Sequence, residues 1–196
     1  MKRILLFAVA VLLISPLVIA KKKVPAAPKP AEEIHWITSI DELQAKMQKN
    51  PKKVYMDVYT GWCGWCKKMD ATTFQNPDLI KYINTNFYAV RLDAERKDVI
   101  NFQGKQYNYD PNYKANTFAV EMMKGSMSYP TSIFMFENFQ SPTPVPGYHD
   151  IKEMEVLLTF FGDNAYKHQQ WQDYQKTYSP KWDHGAAPDM TPPPGH

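Results

Sequence analysis

Residues 53–69 read KVYMDVYTGWCGWCKKM, an apolar run that turns through Thr60-Gly61 into a segment holding both cysteines of the chain, Cys63 and Cys66. Lys53–Tyr59 is strand-like and nearly all apolar, the composition of a central strand covered on both faces. A helix is predicted from about Cys63, carrying Cys66, Met69 and Thr73 on a related face and ending before Asn76-Pro77. A strand feeding a helix through a short turn is the local unit of an α/β fold.

The alternation continues on both sides. Ser39 followed by Glu42 three residues on resembles a capping box, and Ile40, Leu43 and Met47 form a helical stripe upstream of the strand. Downstream, Asp78 is expected to cap a helix through Leu79, Ile80 and Ile83. Phe87–Asp93 reads as a second strand, Thr131–Glu137 (TSIFMFE) as a third, and residues 142–149 contain a fourth. A final helix is expected from Lys152 to about Gln172, with Met154, Leu157, Leu158 and Phe161 spaced for burial. This order predicts an α/β sandwich with a central mixed sheet flanked by helices. Residues 96–128 fit it least well. A structureless loop of that length is uncommon in a compact domain, so an insertion with one or two helices is expected, one of them over Asn116–Lys124.

The ends of the chain differ in composition. Met1-Lys2-Arg3 precedes an apolar run from Ile4 to Ala20, followed by three lysines. Residues 1–20 match a secretory signal peptide with Ala20 as the small residue at the cut. The alternative is an uncleaved membrane anchor; the run is near the lower limit of about 17 residues for a span, and Pro16 falls within it. Residues 21–33 read as a flexible Pro- and Lys-rich leader. Residues 34–175 form the expected domain, and 176–196 a Pro-rich tail expected to be disordered.

Residues 1–20 hold two basic and no acidic side chains, so their removal lowers the formal charge from +3 to +1. A nearly neutral chain offers no electrostatic reason to expect nucleic acid as a partner, and a membrane is expected only if the first segment is retained. Export, to a periplasm or beyond, would place the cysteines where disulfides persist. A bridge between residues three apart closes too small a loop to restrict the unfolded chain much. Stability is therefore a poor reason for the pair.

Thiol–disulfide exchange is a better reason. It needs one readily ionised sulfur and a second close enough to attack a mixed disulfide. At a helix start, free N–H groups and the dipole stabilise a thiolate. Cys63 is thus the expected exposed nucleophile and Cys66, almost a turn later, the resolving thiol. Gly64 lets the backbone turn tightly and leaves room over the sulfur.

Trp62-Cys63-Gly64-Trp65-Cys66-Lys67 after an apolar strand resembles the active site of the thioredoxin superfamily, whose usual form is Trp-Cys-Gly-Pro-Cys-Lys. The resemblance covers roughly residues 34–170. Tyr129-Pro130-Thr131 is similar to the family's cis-proline turn, Gly147 to its glycine before the last helix, and Asp57 to its buried carboxylate. More narrowly, Lys67-Lys68-Met69 after the motif and Tyr-Pro-Thr at the turn resemble exported bacterial thioredoxin-like thiol–disulfide oxidoreductases. The resemblance implies a thioredoxin-like fold, protein substrates bearing disulfides or thiols, a redox partner protein, and no bound cofactor. Trp65 departs from the usual proline. It has an N–H that proline lacks, so it is expected to favour the Cys63 thiolate and a less strongly reducing protein.

Each of these residues also has a plainer role to weigh. Asp57 is either a strand residue facing water or a buried carboxylate that takes the proton of Cys66; its apolar neighbours Met56 and Val58 favour burial. Arg91 on the neighbouring strand could pair with it, though a surface cation is the simpler assignment. Trp62 and Trp65 are either core aromatics or part of an apolar rim for extended peptides. A cis Pro130 would leave the Tyr129 backbone free to pair with a substrate strand. Structural zinc needs four ligands, and His35, His149, His168 and His184 show no paired ligand spacing, so no metal is expected. Lys67, where covalent haem attachment wants histidine, excludes haem. The competing function is a non-catalytic thioredoxin-fold peptide-binding or chaperone-like module.

Overall fold

The computed structural model describes residues 32–185 and 191–193. The expected signal segment 1–20, residues 21–31 of the expected leader, and residues 186–190 and 194–196 of the expected tail lie outside them. Helix α1 (Ile40–Lys49) starts at Ser39, whose hydroxyl accepts the Glu42 N–H, and buries Ile40, Leu43 and Met47. Strand β1 (Lys53–Tyr59) leads into α2 (Gly64–Ala71), and a 3-10 turn, Thr73–Gln75, follows. The expected long helix through Thr73 is thus two pieces. α3 (Pro77–Asn86) and β2 (Phe87–Asp93) come next.

α3 is capped by Asn76, not Asp78: Asn76 Oδ1 accepts the Leu79 N–H at 3.0 Å. Pro77 takes the first helical position, where its missing N–H costs no intrahelical bond. That places the cap one residue before it.

The segment expected as a helical insertion holds more strand than helix. Strands β3 (Ile100–Phe102) and β4 (Lys105–Tyr107) form one hairpin; β5 (Tyr109–Asp110) and β6 (Ala115–Asn116) form another. Only α4 (Thr117–Met122), shorter than expected, is helical there. Gln103 and Gly104 both take positive φ, 48° and 78°, as a two-residue hairpin loop demands. Strands of two or three residues are too short to show a period, so the sequence hid them.

β7 (Thr131–Met135) and β8 (Thr143–Pro146) complete the main sheet, in the order β2-β1-β7-β8. β1 runs parallel to β2 and antiparallel to β7, and β8 is antiparallel to β7. Asp57 lies opposite Arg91 on one side and Ser132 on the other. Ile37 adds a single parallel bridge to the outer edge of β2 at Val90.

The period of two divides β1 between two cores. Val54, Met56 and Val58 pack with Leu43 and Met47 of α1 and Phe118 and Met122 of α4. Tyr55 packs with Met69 of α2, with Leu79 and Ile83 of α3, and with Met154 and Leu158 of α5 (Ile151–Gly162). Phe134 and Phe161 stack there at 4.3 Å. Burying such a ring contributes about 1.5–3 kcal/mol. Asp57, in phase with Tyr55, shares the face covered by α2, α3 and α5. The mixed sheet with helices on both faces is the expected fold class.

The last helix is broken where one continuous element was expected. α5 ends at Gly162, Asn164 takes a left-handed φ of 61°, a 3-10 turn covers Ala165–Lys167, and α6 spans Trp171–Thr177. Gly162 is dictated by packing, since a Cβ there would fall 2.3 Å from the Tyr82 hydroxyl. Beyond α6, residues expected as a loose tail are tied down as far as His184. The buried Glu155 accepts from the Tyr178 hydroxyl at 2.8 Å and the Lys181 N–H at 2.6 Å, and lies 2.6 Å from His184 Nε2. Asn76 Nδ2 donates to the Asp183 carbonyl. Polar side chains, with the rings of Tyr178 and Trp182 packed against the core, thus hold a segment of little aliphatic content.

Candidate functional site

The loop after β1 delivers Cys63 to the N-cap of α2, and the structure holds Cys63 and Cys66 as a disulfide with Cα atoms 5.3 Å apart. Cys63 Sγ accepts the Cys66 N–H at 3.0 Å. A side chain at the N-cap folds back on the third helical N–H in this way, so the donor is Cys66 where Trp65 was expected. Cys63 is 0% exposed and Cys66 3%, so the expected solvent-exposed sulfur is covered in the disulfide form. Gly64 is also buried.

Aromatic contacts connect both flanks of the motif to the β7–β8 hairpin. Trp62, 58% exposed, meets Tyr129 edge-on at 5.8 Å. Trp65, half-buried, lies 5.3 Å from the Tyr148 ring, with Lys68 Nζ 5.0 Å over its face. Between these contacts the Tyr129–Pro130 bond is cis, and the Pro130 carbonyl accepts the Gly147 N–H at 2.8 Å. Trp62, Trp65, Tyr129, Pro130 and the Gly147-Tyr148 turn therefore frame one end of α2. Neither tryptophan lies in the buried core.

Asp57 is 1% exposed on β1. Arg91, expected at the surface, is its partner: Arg91 Nε lies 3.2 Å from Asp57 Oδ2. The same guanidinium grips Asp70 on α2 with both terminal nitrogens, Nη1 and Nη2 each 2.7 Å from a carboxylate oxygen. Its flat face covers the Tyr59 ring at 4.6 Å. Burial pushes the Asp57 carboxyl up to about 7; Arg91 holds it back and Asp70 adds to the rise. Asp57 Oδ1 is buried with no hydrogen-bond partner among the described residues. An unpaired buried oxygen disfavours the charged form.

Asp70 and Tyr148 were not identified from the sequence as part of this arrangement, and Arg91 was weighed as a partner of Asp57 but assigned to the surface. Equal-length parallel strands would have placed Arg91 opposite Asp57, and spacing of four places Asp70 on the Cys66 side of α2. A vicinal dithiol that closes to a disulfide can exchange two electrons, and a carboxyl with a pKa near neutrality on the sheet face under the same helix can hold a proton.

Residues 26–180 match the family model Thioredox_DsbH, described as "Protein of unknown function, DUF255". The uncharacterized protein B0495.5 of Caenorhabditis elegans is 31% identical over 64 residues, covering 33% of this chain and 9% of that protein. Spermatogenesis-associated protein 20 of Mus musculus is 30% identical over 64 residues, covering 33% and 8%. The match thus spans about a tenth of the length of those relatives. Among solved structures, a thioredoxin-fold protein from Helicobacter pylori is 18% identical with a TM-score of 0.47, covering 72% of this chain and 82% of that one. A thioredoxin from Thermus thermophilus is 13% identical with a TM-score of 0.49, covering 70% and 98%. With the family match running from before α1 to beyond α6, and a Cys-Gly-Trp-Cys pair at the start of α2, the chain belongs to the Thioredox_DsbH family of the thioredoxin superfamily.

Proposed function

We propose that the chain is an exported thiol–disulfide oxidoreductase acting on protein substrates and served by a redox partner protein. The observation that carries this reading is the Cys63–Cys66 pair at the N-terminus of an eight-residue helix, framed by aromatic side chains and the cis Tyr129–Pro130 turn. In the reducing direction the Cys63 thiolate attacks a substrate disulfide, forming a mixed disulfide and releasing one substrate thiolate. Asp57 takes the proton of Cys66, whose thiolate then attacks Cys63 Sγ and releases the second substrate thiolate. The substrate gains two electrons and the protein ends as the disulfide. Run backwards, the same steps install a disulfide in a client.

In this reading the aromatic frame is the substrate-binding rim. Trp62, Trp65 and Tyr129 supply apolar area, Gly64 leaves room over the sulfurs, and Pro130 leaves the Tyr129 backbone for an extended client. Since the sulfurs are covered in the disulfide form, a partner thiolate reaches the bond only where this rim parts. The signal-like residues 1–20 support export, and a cleaved signal is favoured over an anchor.

Trapping tests the assignment. Cys66→Ser should accumulate a mixed disulfide on Cys63 with a disulfide-bearing peptide, and Cys63→Ser should accumulate none. The exposed Trp62 favours a second reading, a non-catalytic peptide-binding module. A Cys63→Ser, Cys66→Ser double variant that keeps the fold and full function would establish that reading in place of catalysis.

A further inference from the structure

Among the described residues Asp57 faces one cation, Arg91, and that cation is shared. Arg91 stands between two carboxylates from different elements: Asp57 on β1, reached through Nε at 3.2 Å, and Asp70 on α2, reached through both terminal nitrogens at 2.7 Å. The two contacts are unequal. The Asp70 contact is the closer one: Nη2 donates to Oδ2, and Nη1 lies as near to Oδ1 as an ion pair, although Oδ1 accepts no hydrogen bond among the described residues. The Asp57 contact uses one nitrogen and leaves Asp57 Oδ1 without a partner among the described residues. The ring of Tyr59 under the guanidinium and Trp36, 5.4 Å from its carbon, hold Arg91 in this orientation.

We propose that Asp70 is a positioning residue that, by claiming the fork of Arg91, keeps Asp57 in its proton-holding form in the disulfide state. The proposal rests on the exchange chemistry above and assigns what regulates its proton carrier. When Cys66 is oxidised, Asp57 keeps the proton it took. When a donor dithiol reduces the disulfide, two electrons enter the sulfurs, and that proton returns to the Cys66 thiolate. A carboxyl bound more tightly by Arg91 would be charged at neutral pH and would have no proton to return.

Electrostatics agree with the geometry. Among the described residues, the titratable and charged groups around Asp57 are Arg91 from β2, Asp70 from α2, and Tyr55 and Tyr59 from its own strand; Ser132 faces it from β7. Burial raises Asp57 to about 7 against the pull of Arg91, and the Asp70 charge adds to the rise. Asp70 can be neutralised with both Asp57 and Arg91 left unsubstituted.

The test is a carboxyl titration of the full chain in its disulfide form, followed by carbon-13 NMR, with Asp57→Asn assigning the resonance. Asp70→Asn should move the Asp57 midpoint down by about one pH unit, the size of effect expected when a nearby charge changes. Asp70→Glu, which keeps the charge, should leave the midpoint closer to that of the wild type. The pH profile of reduction by dithiothreitol should shift with the midpoint. An unmoved midpoint in Asp70→Asn overturns the proposal, as does an equal shift in both variants, which would mark a steric effect. The absence of an Asp57 titration near neutrality in the wild type overturns it too. The titration needs no turnover, so a chain that fails to trap substrate sinks the functional reading while the Asp70 assignment is still decided.

Discussion

At the scale of single residues, Asp57 carries the largest electrostatic consequence. Its raised pKa means that the unfolded chain releases this proton earlier than the folded one. Between about pH 4 and 7 the unfolded state therefore binds fewer protons, and stability falls as the pH rises through that window. The linkage is worth up to about 4 kcal/mol. Asp57→Asn removes it and leaves Arg91 paired with Asp70. Guanidinium unfolding is expected to show the variant more stable than the wild type at pH 8, with the gain shrinking towards pH 4. An equal or lower stability at pH 8 would mean the carboxyl is not disfavoured by burial. Trp65 offers a second test at this scale. The donor on Cys63 Sγ is the Cys66 N–H, which proline at position 65 would leave in place. Trp65→Pro removes one first-turn N–H dipole and should make the reduction potential more negative by no more than about 30 mV, the equivalent of one ordinary hydrogen bond. Redox titration against glutathione measures it, and a less negative potential refutes it.

At the scale of elements, the start of α3 shows how one position in the sequence changes an assignment. Asp78 and Asn76 both suit an N-cap by residue type. Pro77 decides between them because it is pre-organised for the first helical position. Asn76→Ala removes both the Leu79 N–H acceptor and the bond to the Asp183 carbonyl. It should cost about 1–2 kcal/mol in urea unfolding. Asp78→Ala, which removes a longer 3.3 Å contact from the Asp183 N–H, should cost less. The reverse order would return the cap to Asp78. The same scale explains the β content of residues 96–128. Stripes of Ile40, Leu43 and Met47, or of Leu79, Ile80 and Ile83, announce helices over ten residues. The three-residue strands at Ile100 and Lys105 repeat nothing that a periodic reading can find.

At the scale of the whole molecule, Glu155 ties the segment 178–184 to the core. Burial alone would raise its pKa, but hydrogen bonds from Lys181, His184, Tyr178 and Trp182 outweigh it and hold the carboxyl below its usual range. Its stabilisation is present above about pH 4 and is lost as the pH falls through the depressed value. Glu155→Gln should release residues 178–184 at a cost of about 2 kcal/mol, as expected when hydrogen bonds to a buried charge are lost. Faster cleavage by trypsin at Lys181 would report the release, and unchanged cleavage would show that the segment is held otherwise. Here the sequence misled, since composition predicts disorder from local apolar content and cannot count acceptors brought from a distant helix. What the sequence determined by itself is local: the apolar strand 53–59, the helix-start cysteines, the alternating elements and so the α/β sandwich, because each rests on residue type at short spacing. Tertiary structure alone decided which groups share the site. Arg91 reaches Asp57 only through strand pairing, Asp70 reaches Arg91 only because α2 crosses that face, and the cover over Cys63 exists only in the folded chain. The two carboxylates and the guanidinium come from three separate elements, and only the packing of β1, β2 and α2 brings them within reach of one another.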